Sequence, residues 1–252
     1  MRFASLGSGS RGNALLVAHG RTTLLVDCGF SVREATRRLL RLGVEPEQLT
    51  AILVTHEHGD HAQGVASLAR RHRVPVWMTA GTQHGCRDTE GVELRTLTTE
   101  VDLEIGELQV RPFTVPHDAR EPCQFVFSDG ARRLGLLTDL GRPTIHVHEM
   151  LRGCDGLLLE CNHDSGMLAR GPYPERLKAR VGGPYGHLSN AQAAALLGTL
   201  HLPRLQHIVA MHLSEQNNTP ALAAEALAGA LGCTASEIPC ASQEDGFAWR
   251  TL

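Results

Sequence analysis

The hexapeptide His56-Glu57-His58-Gly59-Asp60-His61 constrains this chain more than any other stretch of it. Three imidazoles and a carboxylate in so short a run are donors suited to zinc, manganese or iron. Crowded onto one loop, they must point in different directions, an arrangement that can load two neighbouring metal ions. Such a loop needs a rigid support. The preceding run, Ala51-Ile52-Leu53-Val54, is short and uniformly apolar, as expected of a buried strand. A donor-rich loop delivered by a buried strand is the pattern of a catalytic loop on a scaffold. That pattern outweighs the plainer reading of a His-rich polar surface loop.

Around this loop the chain alternates in period. Strands are expected at residues 2–6, 14–18 and 22–27, with the Gly-rich stretch 7–13 turning between the first two. A helix follows, on which Ala35, Leu39, Leu40 and Leu42 are the apolar positions and Arg33, Arg37, Arg38 and Arg41 the polar ones. Beyond the hexapeptide the pattern predicts a helix at 62–71 and strands at 74–78, 93–97, 107–114, 124–128 and 133–138. The last third reads as a strand at 156–159, a helix at 190–200, a strand at 206–210, a helix at 220–231 and a closing strand near 246–251. No linker, low-complexity tract or fixed-period repeat interrupts the series. Strands followed by helices, twice over, predict two layers of sheet covered by helices, with residues 1–252 as one domain.

Composition narrows the function classes. A net charge of −3 offers no bulk attraction for nucleic acid, so any such contact needs a local basic patch. Lys178 is the only lysine, and a positive charge carried by arginine suits phosphate recognition, although genome base composition produces the same bias. Arg33, Arg37 and Arg41 lie four apart on one helix face and read either as a solvated face or as a track for a DNA backbone. The seven cysteines are odd in number and never form a CxxC pair, which argues against a disulfide framework or a structural zinc knuckle. The first residues show no apolar segment with a cleavage site, and no run of about 18 apolar residues suggests a membrane span. A cytoplasmic protein with no membrane partner is the expectation.

With the strand before it, the hexapeptide resembles the signature of the metallo-β-lactamase superfamily, and the resemblance extends along the chain. Val26-Asp27-Cys28-Gly29 is similar to that superfamily's first motif, and His117, in Val115-Pro116-His117-Asp118, to its third-motif histidine. Asp139, in Leu137-Thr138-Asp139-Leu140-Gly141, is similar to the bridging carboxylate, and His212, in Ala210-Met211-His212-Leu213-Ser214, to the last-motif histidine. The resemblance implies an α/β fold, the αββα four-layer sandwich. It also implies two divalent metal ions, manganese or zinc. His56, His58 and His117 would hold one, Asp60, His61 and His212 the other, and Asp139 would bridge them, with Asp27 buttressing the loop. His146-x-His148 has ligand-like spacing but lacks the completing Asp-His, and reads as a surface pair. His19, His72, His84, His201 and His207 have no neighbours that suggest ligation.

Asp139 stands where antibiotic-hydrolysing relatives generally carry a cysteine, which argues against a lactamase. Glyoxalase-type thioester hydrolases share the carboxylate but usually show Gly-His-Thr at the third histidine, where this chain has Pro116-His117-Asp118. Leu159-Glu160-Cys161-Asn162-His163-Asp164 and Gly186-His187-Leu188-Ser189-Asn190 resemble segments of RNase Z-like phosphodiesterases. There a glutamate orients a histidine that protonates the leaving oxygen, since a hydrogen-bonded carboxylate fixes an imidazole's tautomer and raises its basicity.

Residues 7–13, the Glu160-x-Asn162-His163-Asp164 run and His212-Leu213-Ser214-Glu215-Gln216-Asn217-Asn218 are similar to the YycJ/WalJ branch. Cys161 departs from it, where alanine or serine is usual. The branch implies a dinuclear metal-dependent phosphodiesterase, a DNA nuclease acting on ends, with 5′ to 3′ exonuclease action and DNA rather than RNA as its partner. A metal-bridging hydroxide oriented by Asp60 would attack phosphorus in line, and His187, held by Glu160, would protonate the leaving group. Asn13, Asn162 and His163 would bind substrate. The rivals are a small-molecule or cyclic-nucleotide phosphodiesterase, a glyoxalase-type thioester hydrolase, and a non-catalytic metal-binding regulatory protein. Only 22 positions separate His117 from Asp139, too few for an RNase Z-type arm. Between Asp139 and His212 there are 73, too few for a β-CASP insertion. The Gly-Ser run at 7–13 reads either as a phosphate cradle or as a tight hairpin turn.

Overall fold

The computed structural model describes residues 1–252. Its elements begin β1 (Arg2–Gly7), β2 (Ala14–His19), β3 (Thr22–Val26), α1 (Val32–Arg41), β4 (Ala51–Leu53), α2 (Gly59–Ala62), α3 (Val65–His72), β5 (Val76–Met78), α4 (Ala80–Gly85) and β6 (Leu94–Thr96). Next come β7 (Leu103–Ile105), β8 (Leu108–Thr114), β9 (Cys123–Ser128), β10 (Arg133–Leu137), α5 (Ile145–Leu151) and β11 (Gly156–Glu160). The chain closes with α6 (Ser165–Arg170), α7 (Glu175–Val181), α8 (Asn190–Thr199), β12 (His207–Met211), α9 (Pro220–Leu231) and β13 (Phe247–Thr251). These elements form two compact units. The first comprises Met1–Thr114, Ala119–Arg132 and Ser242–Leu252; the second comprises Val115–Asp118 and Arg133–Ala241.

The first unit is built on a seven-stranded sheet in the order β13-β1-β2-β3-β4-β5-β6. β13, β1, β2 and β3 pair antiparallel, and β3 to β6 run parallel. Parallel neighbours need crossovers, and α1, α2 with α3, and α4 supply them. Ala51, Ile52 and Leu53 of β4 are fully buried, as their uniform apolarity predicts. Ile52 joins Leu16, Leu25 and Val76 in a core covered by Ala35 and Leu39 of α1 and Leu68 of α3. β7, β8 and β9 form an antiparallel set in the same unit. The short strand β7 and the helices α4 to α7 are elements that the periodicity of the sequence does not announce.

The face of α1 differs from its expected pattern. Leu40, read as apolar-side, is 47% exposed, whereas Arg38, read as polar-side, is buried. The inversion is stable because the buried guanidinium of Arg38 is matched by acceptors. Its guanidinium donates to Glu34 Oε1 (2.6 Å) and to the carbonyls of Leu6 (2.7 Å) and Gln243 (2.9 Å), and stacks on the Phe30 ring. A buried charge is tolerated when it is paired and hydrogen-bonded in this way.

In the second unit β10, β11 and β12 run parallel, with Leu137 opposite Leu159 and Glu160 opposite Met211. That register brings the residues after β10, at the end of β11 and after β12 to one edge of the three strands, the edge where ligands bind in open parallel sheets. α8 starts at a capping box between Ser189 and Gln192, and α9 at the Thr219 cap with Pro220 in its first turn. His146 and His148 lie on α5. No cysteine is in a disulfide, and no helix is long and apolar enough to cross a membrane.

Candidate functional site

In the first unit the hexapeptide follows β4 directly, and a network buried beneath it sets its geometry. Asp27 lies just past β3 in the left-handed region, φ 60°. Its Oδ1 accepts from Thr55 N (2.8 Å), and its Oδ2 accepts from Thr55 Oγ1 (2.8 Å) and His61 Nδ1 (2.8 Å). A carboxylate only accepts, so Nδ1 of His61 carries the proton and Nε2 presents a lone pair. Asn13 Nδ2, 3.0 Å from that Nε2, donates to it, which agrees with this tautomer. Thr55 Oγ1 has given its proton to Asp27 and therefore accepts from His56 Nδ1 (2.9 Å), which leaves Nε2 of His56 as the acceptor. The rings gather closely, with centroids of His56 lying 4.6 Å from His58 and 4.3 Å from His61.

Backbone packing clamps the same loop. Asn13 N donates to Asp60 O (2.8 Å), Cys28 N to His61 O (2.7 Å) and Gly64 N to Cys28 O (2.8 Å). At Gly29 a Cβ would fall 1.9 Å from Asp60 O, so only glycine lets the strand-end turn pass this close to the metal loop. The Gly-Ser stretch is a hairpin turn and not a phosphate cradle. The amides of Gly7, Ser8, Gly9, Arg11, Gly12 and Asn13 all donate to protein acceptors, Gly9 N to Asn13 Oδ1 among them. Asn13 is buried, and its amide nitrogen lies within hydrogen-bonding distance of Gly9 O, Asp60 and His61 Nε2.

In the second unit Asp139, Glu160, His187 and His212 come together, one donor atom from each lying within 4.8 Å of the others. Asp139 and His212 follow β10 and β12 in left-handed conformations, φ 55° and φ 53°. With Asp27, three candidate site residues thus occupy backbone wells that cost about 1–3 kcal/mol each, a strain that clusters at functional sites. Asp139 Oδ2 lies 2.9 Å from His212 Nδ1, and Oδ1 lies 3.8 Å from His117 Nε2. His117 donates through Nδ1 to the carbonyl of Gly186 (3.0 Å), which again leaves Nε2 as acceptor.

Glu160 is fully buried and saturated. Its Oε2 accepts from Leu140 N (2.9 Å) and Leu188 N (3.1 Å), and its Oε1 accepts from His187 Nδ1 (2.7 Å). The His187 side chain is 21% exposed, while those of His117 and His212 are buried. Asn162 is buried and donates to the carbonyl of His212 (3.1 Å). His163 is buried, with Nδ1 lacking a partner, and burial pushes its pKa below the ordinary imidazole value. Cys161 is buried as well, its thiol held well above the usual range by desolvation, and Asn218 Nδ2 donates to its carbonyl (2.7 Å).

Thr55, Asn190 and Asn218 are supports that sequence reasoning did not single out. Thr55 adjoins the hexapeptide, which is the one signal that pointed to it. Asn190 and Asn218 form a reciprocal amide pair at 2.8 Å in both directions, tying α8 to the segment after β12. Two of the three track arginines of α1 are paired with acidic side chains. Arg37 pairs with Glu34 (2.6 Å) and Arg41 with Asp245 (2.5 Å), the acidic partners expected of a solvated face.

The family model for the beta-lactamase superfamily domain matches residues 22–213, a span that runs from β3 past His212. The chain belongs to the metallo-β-lactamase superfamily. Within it, the chain is 33% identical over 227 residues to the exodeoxyribonuclease YycJ of Bacillus anthracis, covering 88% of this chain and 86% of that one. It is 34% identical over 229 residues to the exodeoxyribonuclease WalJ of Streptococcus pneumoniae serotype 2, covering 88% and 85%. The crystal structure of the metallo-β-lactamase fold protein YhfI from Bacillus subtilis superposes with a TM-score of 0.76 at 16% identity, covering 99% of this chain and 98% of that one. The superfamily's α/β sandwich is therefore the fold of this chain, as its motifs implied.

Proposed function

We propose that this superfamily member is a dinuclear metal-dependent phosphodiesterase that degrades DNA from its ends. The observation that carries the reading is the Glu160–His187 pair. A carboxylate held by two backbone amides fixes Nδ1 of a partly exposed imidazole that lies in one cluster with Asp139 and His212, and so leaves Nε2 for proton transfer. A non-catalytic metal-binding regulatory protein has no use for that device. A phosphodiesterase needs it, because its leaving group is a poorly acidic sugar hydroxyl. The names of the YycJ and WalJ relatives support DNA as the polymer and its ends as the point of attack.

The donor chemistry fits two divalent ions of the manganese or zinc type. His56, His61 and His117 each donate through Nδ1 to an oxygen, which makes Nε2 the lone-pair nitrogen of each; at His61 a cation would take the place of the Asn13 amide that donates to it. In this reading His56, His58 and His117 would hold one ion and Asp60, His61 and His212 the other, with Asp139 as a further carboxylate ligand. Bound there, the ions would supply an acidified water at neutral pH and offset charge on the phosphate. Asp60 orients the water for in-line attack. Glu160 gives His187 a fixed counter-charge in its imidazolium form, and Nε2–H passes its proton to the departing oxygen. Asn13 and Asn162 hold the surrounding backbone.

The chain reads as one functional domain without a substrate-clasping insertion. Labelled single- and double-stranded DNA and RNA, incubated with manganese, zinc or magnesium, test the reading. Stepwise loss of terminal nucleotides from DNA, absent with chelator, is expected. Turnover of cyclic nucleotides with none of polymeric DNA would overturn it.

A further inference from the structure

Helices α6 and α7 are locally cationic in a chain whose net charge is −3. From Ser165 to Val181, Arg170, Arg176, Lys178 and Arg180 stand against one acid, Glu175. The sequence of α1 shows a similar excess, but there folding sets Glu34, Asp245 and Glu244 about Arg37. Arg180, in the last turn of α7, is distinguished by what its acidic partner adjoins. Its Nε donates to Asp118 Oδ2 (2.5 Å), and Asp118 Oδ1 lies 3.5 Å from Nε2 of His117, the lone-pair nitrogen offered to a metal. One carboxylate thus separates the guanidinium from a proposed metal ligand. The Arg180 side chain is nonetheless 60% exposed.

The backbone fixes this placement within the second unit. His187 N donates to the carbonyl of Val181 (2.8 Å), and Asp118 N to that of Tyr185 (3.0 Å). The carbonyl of Gly186 accepts from His117 Nδ1 (3.0 Å). At Gly186 a Cβ would fall 2.2 Å from the carbonyl oxygens of both Arg180 and Val181, so only glycine lets the end of α7 pack on the segment that leads to His187. Arg180 is therefore built into the same frame as His117 and the proton donor His187. An exposed pair with a single carboxylate is weak. A planar guanidinium carries five donors, and a phosphate can engage two of them in parallel.

We propose that Arg180 binds the backbone phosphate adjoining the scissile one in a DNA strand, and that Asp118 aims it. The proposal rests on the phosphodiesterase reading and gives that site its substrate-holding residue. The scissile phosphate belongs at the metals. Arg180 stands one carboxylate further out from His117, so it meets the neighbouring phosphate rather than the reacting one. It is a substrate-binding residue, not a catalytic one.

The test uses the full-length, manganese-loaded protein and a single DNA strand with phosphorothioate linkages, which resist hydrolysis, a 5′ hydroxyl and a 3′ fluorescein. Binding is read by anisotropy over a series of potassium chloride concentrations. Arg180→Ala should weaken binding about 5- to 30-fold and lower the salt slope by about 0.7, one phosphate on a single strand. Arg180→Lys, which keeps the charge, should keep the wild-type slope. Arg70→Ala, which removes a cation paired with Asp88 in the first unit, should bind as wild type does. An unchanged slope in Arg180→Ala, or an equal drop in Arg70→Ala, would overturn the proposal. Moving one neutral methylphosphonate along the strand locates the contact, because at that linkage wild type and Arg180→Ala should bind alike. The position should neighbour the linkage cleaved in an ordinary strand; coincidence with the cleaved linkage would overturn the assigned register. A phosphate contact found in a protein that cleaves no strand upholds Arg180 while the nuclease reading falls. Cleavage with an unaltered slope in Arg180→Ala does the reverse.

Discussion

Replacing Asp27 by asparagine separates the electrostatic role of this residue from its shape. Asparagine is nearly isosteric and tolerates the φ of 60° that position 27 requires, so the backbone is not perturbed. The hydrogen-bond pattern is. Both Asp27 oxygens face donors: Oδ1 meets Thr55 N, and Oδ2 meets Thr55 Oγ1 and His61 Nδ1. An amide must turn its NH2 toward one side. Toward Thr55 N it leaves two buried donors opposed. Toward His61 it forces the proton from Nδ1 to Nε2, where Asn13 Nδ2 already donates. Each opposed or unsatisfied buried donor costs about 1–3 kcal/mol, so Asp27→Asn should destabilise the metal-free protein by roughly 2–4 kcal/mol on the same basis. The His61 lone pair is then lost or misplaced, and metal affinity should fall about 10- to 100-fold. Chemical denaturation of the metal-free protein reads the first effect, and competition against a chromophoric chelator reads the second. An Asp27→Asn protein that binds two metals with wild-type affinity would refute the tautomer argument.

His187→Ala should retain its metals and lose about 10²–10⁴ in turnover of DNA, with a much smaller loss on a nitrophenyl phosphodiester; equal losses would assign His187 to binding. Metal analysis should return two ions per chain, about 3.5–4 Å apart by X-ray absorption, and a single tetrahedral ion would count against the dinuclear reading. Because Arg37 and Arg41 are already paired with Glu34 and Asp245, the Arg33/Arg37/Arg41→Glu variant should leave the salt slope of DNA binding within about one phosphate equivalent, roughly 0.7 on single strands, of the wild type; a larger drop would restore the arginine track. The Arg37 side chain, followed by Arg38, holds Glu34 at about 2 against an unfolded value of 4.5. Its folded pKa is depressed, so its stabilising contribution is present above pH 4.5 and is lost as the pH falls toward 2. Glu34→Gln should flatten the stability curve in that window, and an unchanged acid limb would show that the ion pairs contribute nothing.

The chemistry of the site was legible because its signals are local. His56, His58, Asp60 and His61 sit in one hexapeptide after an apolar run, and the dense donors need no partner to be noticed. His117, Asp139 and His212 were legible only through their order and their places at strand ends. The committed amides of residues 7–13 were not legible, since their acceptors include Gln243 and Ser242, far along the chain. Nor was the burial of Arg38, which depends on carbonyls of Leu6 and Gln243 that converge only in the folded unit.

The sequence by itself determined the elements and the donors: periodicity sets strands and helices, and side-chain identity sets what can bind a cation or move a proton. Tertiary structure decided direction and state. The left-handed turns at Asp27, Asp139 and His212 aim side chains from strand ends, and no propensity predicts them. The tautomers of His56, His61 and His117 follow from acceptors supplied by Thr55, Asp27 and Gly186. The Glu57 side chain lies over Gly85 of α4, where any Cβ would come within 2.4 Å of its Cγ. Each of these is a relation between atoms well separated in sequence, so it acquires a value only when packing brings them within hydrogen-bonding distance.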